Sequence, residues 1–374
     1  MIENDKYGVI FKEIRTNQGF KAKDLATVVP VATLSEFENG KRMLSADKIS
    51  QALELMGFSL ADFEYLTNPK KKVFGRYGEL FHEIREQRGY SECYFISLGV
   101  SSYRLQLFEE GKIMLGYDIV DAMLQEMHVT EDDFSHHLNK GQDDEFVEIF
   151  NRIEQAYYKN DVKTLKQIEM YMNEYAQNIE EIEKEQNKRE KVEDYPVEML
   201  TRQFSDYRMI ALSAKSCYTT LEDKEKEEVA DFLMGVDIWT RFTLAVFAAV
   251  VMDLEYATIR TFLQEFWKEE KLFEDNIHYR NRILQAAVKA VFAVISKGRG
   301  DVAVKILDFS KGYLKETDDH SKAIYKFAQG YERYAVHGNE EGGLLMQKVI
   351  EHFEFLEDIS VAGFYRQIYL RYVK

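Results

Sequence analysis

The apolar positions of this chain recur at helical spacing almost from end to end. Near the N-terminus Tyr7, Ile10, Phe11 and Ile14 fall on one stripe, and Gly19 suits the stop that follows. Leu25 and Ala26 place a second helix over about Lys21 to Val28, with both residues turned inward. After a tight turn at Val29-Pro30, Leu34 and Phe37 supply the inner face of a third helix from about Ala32 to Asn39, ended by Gly40. Ile49, Leu53 and Met56 give a fourth helix, and Leu60 and Phe63 begin a fifth. A small residue in one short helix, a tight turn and a following helix with one buried face describe a helix-turn-helix.

The pattern then returns. Tyr7-Gly8, Phe11, Glu13-Ile14-Arg15 and Gly19 recur as Tyr77-Gly78, Phe81, Glu83-Ile84-Arg85 and Gly89. After one inserted residue, Phe37-Glu38, Gly40-Lys41, Met43-Leu44, Asp47, Leu53, Met56 and Asp62-Phe63 recur as Phe108-Glu109, Gly111-Lys112, Met114-Leu115, Asp118, Leu124, Met127 and Asp133-Phe134. A match this long with a single indel marks a tandem duplication of roughly 65–70 residues.

From about Asp143 the pattern is continuously helical. EFVEIFNRIEQAYYKNDVKTLKQIEMYMNEY reads as two helices joined by a turn at Lys159-Asn160-Asp161, the cadence of a helix-hairpin repeat. Leu165, Ile168, Met172, Tyr175, Ile179 and Ile182 alternate spacings of three and four. That stripe is the inward face of a repeat helix, or alternatively a short coiled-coil dimer seam. The charged run 183–194 reads as a solvated helix end or linker. Further helical segments run over Val197 to Leu221, Lys226 to Leu254, Ala257 to Lys268 and Tyr279 to Ser296. A Gly298-Arg299-Gly300 break, Val302 to Lys315, Ser321 to Val336 and two last helices after Gly338-Asn339 complete the chain.

Composition narrows the function. The longest apolar run, Phe242 to Met252, is too short to span a bilayer, and two cysteines without a framework suit a reducing cytoplasm. The net charge of -16 argues against a general nucleic-acid coat protein. Its distribution is uneven: residues 1–75 carry 11 Lys and Arg against 10 Asp and Glu, whereas residues 76–140 carry 6 against 12. The first copy is thus the segment best suited to phosphate, and the acidic second copy is poorly suited to it. No Gly-rich phosphate loop, HExxH, GxSxG or cysteine cluster is present, so neither an enzyme nor a cofactor is expected. His136-His137 beside Asp132-Asp133 comes nearest to a metal site, but adjacent histidines on a helix point about 100° apart.

LATVVPVATLSEFENGK followed by ISQALELMGFSLADF resembles the Xre-type helix-turn-helix, and LSEFENG is similar to its Rgg/GadR/MutR branch, in the RRNPP superfamily. VDIWTRFTLAVFAAVVMDL resembles an Rgg-type region of the later helices, with Ala248 and Ala249 where that family usually has an Asn. The resemblance implies an all-α protein: a helix-turn-helix DNA-binding domain over 1–69, a second, degenerate repeat over 70–142, and a TPR-like helical-repeat domain over 143–374 that senses a short peptide and dimerises. It further implies a cytoplasmic transcription regulator of double-stranded DNA. Ala32, Thr33, Ser35 and Glu36 take the outward positions of the recognition helix, and Lys21 and Lys23 stand at the N-terminus of helix two, where the helix dipole favours a phosphate. Lys41 and Arg42 are candidate backbone contacts.

Two features depart from that branch: a turn one residue shorter, occupied by Pro30, and Glu36 where Arg or Lys is common. The second copy departs further. Ala26 becomes Ile96, Lys21 and Lys23 become Ser91 and Cys93, and Glu36 becomes Leu107, expected as an exposed apolar contact, while Tyr103, Arg104 and Gln106 are expected to face outward. A concave groove for an extended peptide needs fixed donors and acceptors, which Arg241, Asn276, Tyr279, Arg280, Asn281 and Arg282 offer beside Phe242 and Tyr325. The alternative reading is a peptide-sensing interaction protein that controls a partner protein and no longer reads DNA.

Overall fold

The computed structural model describes residues 4–67, 75–141, 145–188, 197–268 and 277–373. All regular structure among the described residues is helical, and the chain divides into two compact units, residues 1–143 and 144–374.

In the first unit the two sequence copies build the same succession of elements. The first contains α1 (Asn4–Asn17), a 3₁₀ turn (Ala22–Leu25), α2 (Val31–Glu38), α3 (Ala46–Leu55) and α4 (Leu60–Thr67). The second contains α5 (Gly75–Arg88), a 3₁₀ turn (Tyr94–Leu98), α6 (Ser102–Glu109), α7 (Tyr117–Glu126) and α8 (Glu131–Leu138). The shared residues explain the likeness. Phe11 meets Phe37 edge-on at 5.4 Å between ring centres, and Phe81 meets Phe108 at 5.5 Å. Gly8 and Gly78 let α1 and α5 approach the next helix so closely that a Cβ would overlap the carbonyl oxygen of Phe37 or Phe108.

Both copies also bury one arginine fork. Arg15 Nε donates to Glu38 Oε1 at 2.6 Å and Nη2 to Glu38 Oε2 at 2.9 Å, while Nη1 donates to the Phe20 carbonyl at 2.8 Å. Arg85 repeats the set on Glu109, at 2.5 and 2.9 Å, and on the Tyr90 carbonyl at 2.7 Å. Each fork ties the end of its first helix to the end of the helix that follows the turn. Bidentate geometry with every charge hydrogen-bonded is the condition under which a buried pair is tolerated. The carboxylate partners push both arginine pKa values further up.

Several expectations about this unit are corrected. Helix two is not a helix over Lys21 to Val28; it is one 3₁₀ turn with turns after it, too short for the dipole assigned to it. Ala26 faces solvent, as does Ile96 at 58% exposure, so neither sets a helix approach; Leu25 and Val29 are the buried residues. The inserted residue of the second copy is Gly99, which closes its 3₁₀ turn at φ 81°, where the first copy passes directly from Val28 to Val29. Leu107 is buried, at 5% exposure. The reason lies six residues on: Glu36 and Arg42 of the first copy correspond to Leu107 and Ile113 of the second. An exposed charged pair has been exchanged for two apolar residues that join the core.

The second unit comprises α9 (Glu145–Tyr158), α10 (Val162–Lys188), α11 (Val197–Ser216), α12 (Asp223–Met234), α13 (Arg241–Val250), α14 (Tyr256–Lys268), α15 (Ile277–Ser296), α16 (Gly300–Ser310), α17 (Asp319–His337), α18 (Glu340–Phe355) and α19 (Ile359–Tyr372). Lys226 to Leu254 is two helices, not one: Gly235 ends α12, and Thr240 caps α13 by accepting from the Thr243 amide. Ile283 to Val294 of α15 is buried on nearly every side, with Gln285 and Lys289 the polar residues in this apolar stretch. Leu165, Ile168 and Met172 of α10 face the unit's own core, so the inward-face reading holds for them. Tyr175 is exposed beside Tyr171, and the side chain of Ile182 lies outside the described residues. Tyr157 and Tyr158 of α9 pack on Phe364 of α19 at 4.7 and 5.0 Å, joining the first and last helices of the unit.

Candidate functional site

Around α2 the candidate DNA contacts form one open surface. Ala32, Ser35 and Glu36 are exposed, Thr33 is half-buried, and Leu34 and Phe37 hold the opposite face in the core. Lys41 and Arg42 are exposed just beyond the helix, and Arg42 Nη1 lies 3.6 Å from Glu36 Oε2. That pair is solvated and weak, so Arg42 screens the carboxylate while remaining able to swing to a phosphate. Lys21 and Lys23 are exposed, but the amide of Lys21 already donates to Asp24 Oδ2 at 2.7 Å. The anion position at that turn is thus filled by the chain itself, and the two lysines offer only their side-chain charge.

The corresponding surface of α6 is covered. Tyr103 OH reaches Glu13 Oε1 at 3.4 Å and its ring lies 6.2 Å from that of Phe58. Arg104 Nη2 donates to Asp62 Oδ2 at 3.3 Å, with the guanidinium over the Phe58 ring at 5.9 Å. Ser101 Oγ accepts from Gln18 Nε2 at 2.6 Å and also caps α6. Of the three α6 residues expected to face outward, Gln106 alone is exposed; Tyr103 and Arg104 face the first copy instead. The docking is one-directional. Asp62 is buried beneath Arg104, whereas its counterpart Asp133 is exposed and only caps α8 with Thr130.

The second unit encloses a cavity of about 330 Å³ among α9, α11, α13, α15, α17 and α19. Aromatic rings of Tyr157, Tyr158, Phe292, Phe364, Tyr365 and Tyr372 line it, with Ala245, Ala248 and Ala249 on one side. Its charged lining is one carboxylate, Glu154, against Arg282, Lys289 and Arg371. Glu154 is fully engaged: Arg282 Nη1 donates to Oε2 at 2.9 Å and Gln285 Nε2 to Oε1 at 2.8 Å. Lys289 instead lies against a ring face, its Nζ 4.7 Å from the centre of Tyr157. Burial pushes its pKa down, and burial raises the neighbouring Cys217 thiol to about 11, so the cysteine stays protonated and inert at neutral pH.

The later helices decide the family. Residues 176–367 match the C-terminal domain of the HTH-type transcriptional regulator Rgg, and residues 11–63 match a helix-turn-helix domain. The chain belongs to the Rgg family of transcriptional regulators. It is therefore a regulator of transcription and not an enzyme, with its helix-turn-helix at the N-terminal end.

Solved structures agree on the fold. A Listeria monocytogenes EGD-e protein described as a transcriptional regulator is 16% identical, with a TM-score of 0.58 over 80% of this chain and 98% of that one. The SHP pheromone receptor Rgg2 (C45S) of Streptococcus dysgalactiae is 15% identical, with 0.57 over 80% and 100%. The PrgX/cCF10 complex is 9% identical, with 0.54 over 80% and 100%.

Of the peptide-contact candidates in this Rgg-family chain, Arg282 alone lines the cavity. Arg241 is half-buried at the start of α13, Tyr279 and Asn281 are half-buried on α15, and Arg280 is buried. Asn276 lies outside the described residues. Phe242 packs on Phe146 and Phe150, and Tyr325 is buried. The candidates Tyr279, Arg280, Asn281 and Arg282 are consecutive, so on a helix they point in different directions, with Arg280 buried and its neighbours half-buried. Lys289 was missed although the sequence marks it, as a lone charge within LQAAVKAVFAV. No group of three or more His, Cys, Asp or Glu side chains placed to hold a metal ion occurs among the described residues. No helix among them is long and apolar enough to cross a membrane.

Proposed function

We propose that this regulator reads double-stranded DNA with α2 of its first copy, as a homodimer, under control of a short peptide held in the second unit. The observation that carries the DNA reading is the contrast between equivalent helices: α2 keeps Ala32, Ser35 and Glu36 open, while α6 spends Tyr103 and Arg104 on its neighbour. The second copy is then a degenerate helix-turn-helix that extends the head without reading bases. Ala32, Thr33, Ser35 and Glu36 meet base edges, a carboxylate being suited to a cytosine amino group, and Lys41, Arg42, Lys21 and Lys23 meet phosphates. The aromatic cavity, and the likeness of the fold to a pheromone receptor, support the peptide arm. A peptide acts by binding one arrangement of the two heads more tightly than another, so changing their spacing on two half-sites.

The test is a salt titration of binding to DNA from upstream of the protein's own gene. Affinity that falls linearly on a log–log plot, with a slope near -0.9 per phosphate contacted, is the expected result. Absence of binding at about 50 mM salt, by protein that remains folded, sinks the DNA reading and favours control of a partner protein.

A further inference from the structure

Among the described residues that line the cavity of the second unit, Lys289 has no ion-pair partner. Lys289 lines the cavity from a stretch of α15 that is apolar on both sides of it, and the one lining carboxylate, Glu154, has its two oxygens engaged by Arg282 and Gln285. No ion pair joins Lys289 to any described residue; its contact is the face of Tyr157. A ring face offsets part of the cost of enclosing an ammonium but leaves its hydrogen-bond donors unanswered. The α13 wall, Ala245, Ala248 and Ala249, offers no hydrogen-bonding side chain; the lining amides are those of Asn160, Gln285 and Gln367, and Gln285 is engaged by Glu154. An anion is the partner this site lacks.

We propose that the cavity takes the last residues of an apolar peptide, with the free C-terminal carboxylate against the Lys289 ammonium. The assignment rests on the peptide reading above and adds the end of the peptide that enters and the group that receives it. Size agrees: about 330 Å³ lies at the lower end of ligand pockets, enough for a terminal segment and not for a whole extended peptide. Charge agrees, because the lining holds a surplus of cations, with exposed Arg371 at the rim. Surface chemistry agrees as well, since the rings and alanine methyls of the lining accept apolar side chains. Amino acids ending the peptide are selected by the rings; the carboxylate is selected by Lys289.

The probe is a library of synthetic hexapeptides, Ser-Gly-Asn followed by three positions drawn from Leu, Ile, Val, Phe and Trp. It is made once with free carboxylates and once as C-terminal amides. Retention on the full-length protein is read by native mass spectrometry. Wild type retains the acids about tenfold or more over the amides, the discrimination expected of one charge-assisted contact. Lys289→Met loses that preference while holding the amides as wild type does, and Lys289→Arg keeps it. Met replaces a half-buried ammonium that has no ion-pair partner with an apolar side chain of similar length, so its melting temperature stays at or above that of wild type. Equal retention of acids and amides by wild type overturns the carboxylate assignment and leaves the peptide reading standing. Retention of neither form by folded wild type overturns both.

Discussion

The two copies in the first unit share a skeleton and differ in what they show to the outside. Their common residues are the ones that make the fold: the Phe11–Phe37 and Phe81–Phe108 contacts, the close approaches at Gly8 and Gly78, and the forks of Arg15 on Glu38 and Arg85 on Glu109. Their divergent residues lie on the helix after the turn. Ala32 and Thr33 leave α2 open, whereas Tyr103 and Arg104 fasten α6 to Phe58 and Asp62. A duplicated fold is thus kept by its interior and reassigned by its surface. Covering the second helix leaves α2 as the open one of the pair.

The largest expected effect tests the shared skeleton. Arg15→Ala strands the buried Glu38 carboxylate and should cost the first copy about 3–5 kcal/mol, read as lost hydrogen-exchange protection of the α1 amides; Arg85→Ala leaves Glu109 its contact with His82 Nδ1 at 2.7 Å and should cost the α5 amides less. A loss confined to one copy would show that the forks are not equivalent. Next, Arg104→Ala leaves buried Asp62 without its cation and should cost about 2 kcal/mol. Ala32→Tyr, which imposes the second copy's residue on open α2, should change stability by no more than about 0.5 kcal/mol. A large effect at Ala32 would mean that α2 is covered as well.

Smaller still, Ser59→Ala and Thr130→Ala remove matching caps. Ser59 Oγ accepts from the Asp62 amide at 3.1 Å, and Thr130 Oγ1 from the Asp133 amide at 3.0 Å. Each should cost about 1 kcal/mol in chemical denaturation, and a cost near zero at Ser59 would show that Arg104 alone holds Asp62 in place. The subtlest test compares equivalent lysines. Lys41→Ala should lower the salt slope of DNA binding by about one, while Lys112→Ala should leave it unchanged. Equal effects would return the second copy to the DNA.

Much of this was legible in the sequence because it depends on periodicity. The helices of both copies, the duplication and the helical remainder follow from apolar spacing and turn residues, and residues such as Leu34, Phe37 and Leu165 are buried as that spacing requires. Ala26 and Leu107 misled for opposite reasons. Ala26 is small and apolar, so its type does not say which way it points, and a single 3₁₀ turn gives no periodicity to decide it. Leu107 was read by transferring the exposure of Glu36, although the paired change of Arg42 to Ile113 already signalled a buried position. In the second unit the candidates Arg280, Asn281 and Arg282 sit in a stretch dense in polar groups, while the cavity draws Glu154, Gln285, Lys289 and Arg371 from three helices spread over more than two hundred positions.

The sequence by itself determined the helical class, the repeated skeleton and the family, because these rest on local spacing and on residues that recur in order. Only the tertiary structure decided which helix after a turn stays open and which lysine is left without a partner. Both depend on what distant segments bring to the same place, and a one-dimensional pattern does not record the direction in which a side chain meets its neighbours.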